Sequence, residues 1–170
     1  MKRKLLGFFS VLGILAGFSS CANESVCGLL PDGGKGDPKY LTPEPQACAD
    51  RESIGFGLEF NSGAYIGTKP QDTLVIRNGG IADLNVESVS LSGDSAFSLT
   101  TDPTTFPAVI KGNERLLMRV VFAPTQGKLY TGKITVTSNA DNFPVKELAL
   151  AGCGVPADGG YSSCYGDGGM

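Results

Sequence analysis

Apolar and polar residues alternate most regularly between residues 115 and 124. Because successive side chains of a strand point to opposite faces, one face of this segment would be wholly apolar. That face consists of Leu116, Met118, Val120 and Phe122. The other face, with Leu117, Arg119 and Val121, is only partly polar, which predicts a central strand covered on both sides. Pro124 has no backbone N–H to donate and is predicted to end the strand.

Shorter alternating runs predict further strands on both sides of this segment. They cover residues 54–60, 73–77, 84–91, 97–99, 130–136 and 148–150. Within residues 84–91 the apolar phase shifts by one position after Val86, which predicts a β-bulge at residues 87–88. Gly79 and Gly80 predict a turn with positive φ after Asn78, and Gly152 is predicted to end the last strand.

These runs indicate an all-β fold, because turn residues separate them and no helical period occurs. We expect a single antiparallel immunoglobulin-like β-sandwich of about seven strands over residues 54–154. Residues 21–53 are rich in proline and glycine and predict a flexible tether. Residues 155–170 predict a flexible, glycine-rich tail.

Residues 1–20 have the pattern of an export signal, with basic residues at 2–4 and an apolar run at 5–18. As a helix this run would span about 21 Å, which is short of the roughly 30 Å of a bilayer core, so cleavage is expected. Ser19 and Ser20 before Cys21 resemble a bacterial lipobox, in which the cysteine is lipidated and becomes the first residue. The alternative is ordinary cleavage near Ser20. A lipobox without an acidic residue at 22 or 23 implies the outer membrane.

The chain has five cysteines, and export would place them in an oxidising compartment that favours disulfides. Besides Cys21, three pairings are open among the other four, which are Cys27, Cys48, Cys153 and Cys164. The simplest joins the first to the second and the third to the fourth, closing one short loop towards each end of the chain. A zinc site of four thiolates is disfavoured, because no Cys-x-x-Cys pair occurs.

Charge narrows the classes of partner. The formal net charge is −3, and loss of the three basic residues of the signal would make it −6. No basic stripe is visible in the sequence, so neither nucleic acid nor an anionic membrane surface is expected as a partner. The chain has no His, which excludes His-dependent nucleophiles and His-ligated zinc, and no cofactor is expected.

The strand motifs together resemble a known family. They are the segments at 73–80, 84–91, 120–127, 132–134 and 148–152, with Phe97 between the second and the third. In this order they are similar to the immunoglobulin-like domain of abnormal-spindle and Hydin proteins (ASH), called choice-of-anchor D in bacteria. The resemblance covers residues 54–154 and implies a sandwich of the major-sperm-protein and pilus-chaperone type. It further implies an interaction or scaffold module with no catalytic residues.

Other candidate chemistry is sparse. Asp83 with Glu87, and Asp94 with Asp102, are carboxylate pairs at strand ends. A glycosidase needs two such groups across one cleft, and no aromatic platform accompanies them, so solvated loop charges are expected. Leu117, Val121 and the region of Phe106 could offer a surface to a partner, although we expect the facing sheet or the tether to cover them.

Three functional hypotheses follow. The leading one is a non-enzymatic cell-envelope lipoprotein, attached to the outer membrane through Cys21, whose domain binds an envelope or surface protein. The alternative is a sandwich that binds carbohydrate or cell wall. Hydrolase activity is the weakest hypothesis, since no nucleophile motif or metal constellation is present in the sequence.

Overall fold

The computed structural model describes residues 42–57, 63–158 and 164, and these form an all-β sandwich with no helix. The predicted export signal, Cys21 and Cys27 lie outside the described residues. Ten strands are arranged in two sheets. They are β1 (Ala47–Ala49), β2 (Ser53–Phe56), β3 (Ala64–Tyr65), β4 (Gln71–Asn78), β5 (Leu84–Gly93), β6 (Phe97–Asp102), β7 (Ala108–Ile110), β8 (Arg115–Phe122), β9 (Leu129–Ser138) and β10 (Val145–Val155).

The smaller sheet has the order β1-β4-β8-β6, and all its pairings are antiparallel. The strand predicted at 115–124 is β8, which lies inside this sheet between β4 and β6. Its inward side chains are fully buried, as predicted, and they are Leu116, Met118, Val120 and Phe122. Alternation in the sequence therefore identified the core face of β8 correctly.

The larger sheet has the order β2-β10-β9-β5-β7, with β3 also beside β10. The strands β2 and β3 run parallel to β10, so the prediction of a wholly antiparallel sandwich was wrong at this edge. Residue alternation is the same in parallel and antiparallel strands, and it therefore carries no information on direction. The predicted bulge is confirmed, because the register between β5 and β9 shifts between Val86 and Ser88.

Aromatic rings fill the space between the sheets around Phe122. Its ring centroid lies 5.5 Å from that of Phe56 and 5.0 Å from that of Phe97, and the edge-on ring of Tyr130 lies at 5.4 Å. A Cβ atom at Gly152 would lie 2.6 Å from Cζ of Phe122. Gly152 therefore makes room for this ring inside β10, and the prediction that it ends the last strand was wrong.

Three short strands were not predicted from the sequence, and they are β1, β3 and β7. The first lies within the predicted tether, yet Ala47 is buried and pairs with Asn78 of β4. The ordered sandwich thus includes residues before 54, and the tether prediction fails for 47–49. A strand of two or three residues is too short to show alternation, so its pairing partner decides its conformation.

The segment after β4 also differs from its prediction. Gly79 and Gly80 are not among the glycines with positive φ. A Cβ atom at Gly79 would lie 2.7 Å from Sγ of Cys48, and one at Gly80 would overlap the carbonyl oxygen of Glu44. These glycines are therefore required by the close approach of β1 and of the chain just before it, and not by turn geometry.

Candidate interaction surfaces

The carboxylates considered as catalytic pairs have exposed or structural positions, and Glu87 is exposed on β5. Asp94 and Asp102 lie at opposite ends of β6, and Asp83 interacts with Lys111 at 3.7 Å. Asp94 accepts hydrogen bonds from the amide of Thr131 at 2.8 Å and from Nζ of Lys128 at 3.3 Å. The bond from Thr131 is the main reason that the pKa of Asp94 is lowered from its ordinary value. Asp94 is thus a structural residue of the turn between β5 and β6.

Neither a metal centre nor a free thiol pair occurs in the described part of the chain. No group of three potential metal-ligating side chains is found among the described residues. Cys153 and Cys164 form a disulfide, which is the simplest pairing for these two residues. Cys48 is also disulfide-bonded, and its predicted pairing with Cys27 stays a prediction because Cys27 is not described. Residues 42–57, 63–158 and 164 contain no helix that is long and apolar enough to span a membrane.

The edge strand β6 presents an unpaired backbone edge. The amide of Ala123 donates to the carbonyl of Ala96 at 2.8 Å. This bond shows that every second residue of β6, counted from Ala96, is hydrogen-bonded to β8. Ser98 and Thr100 therefore bond to β8, whereas the amides of Leu99 and Thr101 point away from it. Within the described residues no strand pairs with that side of β6.

A second unpaired edge lies beside the first. The strand β7 covers only residues 84–86 of β5, so residues 88–93 have β9 on one side and no described strand on the other. The amide of Asp94 donates to the carbonyl of Thr131 at 2.9 Å, and by alternation the amides of Val89 and Leu91 point outward. We call the edge of β6 together with the edge of residues 88–93 the open flank.

The open flank also carries apolar side chains between the two sheets. They are only partly buried against the core, and they are Val89, Leu91, Ala96, Leu99 and Phe106. An exposed strand edge next to accessible apolar side chains is the arrangement that can accept an added β-strand. The open flank is therefore a candidate site for a partner in extended conformation.

The opposite edge of the smaller sheet is closed by side chains. The amide of Ala47 in β1 donates to Oδ1 of Asn142 at 2.9 Å, and Nδ2 of Asn142 donates to the carbonyl of Ala47 at 3.1 Å. The Asn142 side chain thus takes the place of a neighbouring strand. Because both outward groups of Ala47 are bonded, this edge cannot accept a further strand at that position.

The outer face of the smaller sheet is not covered by any described element, contrary to the expectation for β8. Leu117 and Val121 are half-buried on this face, and a shallow groove of about 310 Å³ runs past Leu117 and Arg119. Arg77, Arg115 and Arg119 all point outward here. We call these three residues with Leu117 the arginine face. Arg77 is distant in sequence from the other two, so this basic patch was missed until the register of β4 and β8 was known.

Asn78 illustrates a polar residue whose role the sequence left open. Its side chain is fully buried, and Oδ1 accepts from the amide of Gly80 at 2.9 Å. Its Nδ2 donates to the carbonyls of Ala82 at 2.8 Å and Ile110 at 2.9 Å. Asn78 therefore joins β4 to β7 within the fold and is not available to a ligand.

Searches with family models and against curated proteins find no match. Solved structures do match. The ASH / PapD-like domain of human CEP192 (PapD-like domain 7) is similar with a TM-score of 0.50 and 16% identity, over 75% of this chain and 98% of that one. The periplasmic chaperone SfaE is similar with a TM-score of 0.46 and 13% identity, over 72% and 61%.

A member of the major sperm protein family from C. elegans, WR4, is similar with a TM-score of 0.39 and 10% identity, over 66% of this chain and 98% of that one. Larger proteases and glycoside hydrolases match over 30% or less of their own length. The likeness to the CEP192 domain shows the fold. This protein has an immunoglobulin-like β-sandwich fold similar to that of the ASH/PapD-like domain, which is the fold that the sequence resemblance implied.

Proposed function

We propose that this protein is a non-enzymatic adaptor of the bacterial cell envelope that binds another envelope or surface protein. In this proposal the export signal is removed, Cys21 carries the lipid that holds the protein at the outer membrane, and the sandwich makes the protein contact. The described residues contain no metal cluster, and the candidate carboxylates have structural or solvated positions.

The open flank is the observation that carries the proposal. The outward amides of Leu99 and Thr101 can bond to a partner strand, and the side chains of Val89 and Leu91 can contact its apolar residues. The closed edge at Ala47 indicates that an unpaired edge is not a general feature of this sheet. Strand addition at the open flank would thus use a surface that the fold leaves accessible.

Thr101→Pro tests the proposal. Proline removes the outward N–H donor of this edge position while the hydrogen bonds of Thr100 to β8 stay possible. Thr101→Val is the matched control, because it keeps the backbone donor. Crosslinking in intact cells, followed by detergent extraction and mass spectrometry, measures capture of a recurring envelope protein.

We expect the wild-type protein and Thr101→Val to capture the same partner. Thr101→Pro should capture at most about a tenth of that amount, because it loses one well-placed hydrogen bond and weakens the neighbouring ones. Equal capture by both variants, with both proteins folded by circular dichroism, would contradict binding at β6. Cys21→Ser, followed by membrane fractionation, tests the lipid anchor separately: release into the soluble fraction is expected, and retention at the membrane would contradict it.

A further inference from the structure

The basic side chains of this protein are not distributed evenly. Five of them form ion pairs with carboxylates, and they are Arg51, Lys111, Lys128, Lys133 and Lys146. In the described part of the chain, no ion pair involves Lys69, Arg77, Arg115 or Arg119. The last three are the arginines of the arginine face, and they lie on a protein whose formal net charge is −3.

The register places like charges together on this face. Arg77 lies directly opposite Arg115 in the pairing of β4 with β8. Like charges directly opposite one another in a sheet are unfavourable, and an anion between them would remove that repulsion. Asp102 is the carboxylate that lines the nearby groove, and it makes no ion pair with Arg119 among the described residues. The arginine face therefore carries net positive charge and is accessible to an anionic ligand.

The spacing along β8 defines the shape of that ligand. Arg115, Leu117 and Arg119 point to the same side of one strand, so the two arginines are about 13 Å apart with an apolar side chain midway. An extended peptide has the same repeat. Acidic side chains at its positions i and i+4 would reach the two arginines, while an apolar side chain at i+2 would contact Leu117 in the groove.

Two threonines add polar groups beside Arg119. In the register of the smaller sheet, Thr73 of β4 and Thr100 of β6 flank Arg119 on its two sides. Both side chains line the groove, and their hydroxyl groups can donate to carboxylate oxygens that Arg119 also binds. No outward position of β4, β8 or β6 carries an aromatic side chain, which disfavours stacking of a sugar ring on this face.

We propose that the arginine face binds an extended acidic segment of a partner protein with the pattern acidic-x-apolar-x-acidic. This inference rests on the proposed function only in taking the partner to be a protein. It concerns the outer face of the smaller sheet, whereas the open flank uses the outward backbone edge of β6. Thr101 also lines the groove, so this inference is tested at Arg119, which lies on the inner strand β8 and away from that edge.

The test uses the exported protein as purified from cells and two synthetic ten-residue peptides. One peptide has Glu at positions i and i+4 and Leu at i+2, and the other has Gln in place of both Glu residues. Fluorescence anisotropy measures binding at low and at physiological salt. Arg119→Gln removes one charge of the arginine face, and Lys133→Gln is the matched control, because Lys133 lies on β9 in the other sheet.

We expect the Glu peptide to bind, the Gln peptide to bind at least about tenfold more weakly, and added salt to weaken binding, since charged groups make the contact. Arg119→Gln should weaken binding of the Glu peptide about tenfold, and Lys133→Gln should leave it unchanged. Equal loss in both variants would indicate general charge attraction and overturn the proposal.

Two further outcomes would also overturn it. The first is failure of the Glu peptide to bind, as expected if residues before 42 of the same chain cover this face. The second is that the protein binds an anionic polysaccharide and does not bind the Glu peptide, and that Arg119→Gln abolishes the polysaccharide binding. Capture of the envelope partner through Thr101 would be unaffected by either result, so the proposed function and this inference are tested separately.

Discussion

The two edges of the smaller sheet differ in how their outward backbone groups are bonded. At the β1 edge, the side chain of Asn142 bonds to both the amide and the carbonyl of Ala47. At the β6 edge, the backbone amides of Leu99 and Thr101 point outward, and no described strand lies beside them. A single asparagine thus occupies the outward backbone groups of the β1 edge at Ala47. An edge without such protection is therefore where a partner strand can add, and this difference supports the open flank as the binding site.

The largest expected effect concerns the core beneath the β6 edge. Phe122→Ala removes a fully buried ring that packs against Phe56 and Phe97, and it should destabilise the protein by about 3–5 kcal/mol. Urea denaturation measures the change. Val121→Ala, on the half-buried outer face of the same strand, should cost under about 1 kcal/mol. Similar losses in both variants would contradict the assignment of the inner face of β8.

A smaller effect is expected at the protected edge. Asn142→Ala removes both hydrogen bonds to Ala47 and should cost about 1 kcal/mol in the free energy of unfolding. The variant should also self-associate more at high concentration, because the β1 edge becomes unpaired. Analytical ultracentrifugation would detect this. A variant that stays monomeric and fully stable would show that Asn142 does not protect the edge.

The smallest effect concerns the turn that joins β5 to β6. The folded protein lowers the pKa of Asp94 below its ordinary value of 3.8, so the charged carboxylate stabilises the folded state above that pH. This stabilisation is lost as the pH falls through the lowered pKa. Asp94→Asn should therefore be slightly less stable than the wild type at pH 7, and the difference should shrink below about pH 4. Melting temperatures from pH 7 to pH 2 measure it, and a difference independent of pH would contradict the prediction.

The fold could be predicted where apolar and polar residues alternate regularly along the chain. Alternation placed Phe122 and its neighbours in the core, and the phase shift after Val86 located the bulge. The parallel direction of β2 was not predictable, because alternation does not depend on strand direction. Gly152 was misread as a strand end, since its role depends on the Phe122 ring that packs above it from the other sheet.

The candidate surfaces were harder to predict from the sequence than the fold, because they depend on which strands pair. An edge is open when no strand lies beside it, and this depends on the whole sheet. The local sequence around Thr101 therefore could not predict that its outward amide has no described strand beside it. Arg77 and Arg115 become neighbours only through the register of β4 and β8. The arginine face could not be predicted from the sequence, because it forms only when the two strands pair.

Hydrogen exchange of individual backbone amides, in the free protein and in the captured complex, tests the open flank most directly. We predict rapid exchange at Leu91, Leu99 and Thr101 in the free protein and strong protection in the complex, because a partner strand would bond to these amides. The amide of Ala47, bonded to Asn142, should be protected in both states. Unchanged exchange along β6 and residues 88–93 on binding would contradict strand addition at the open flank.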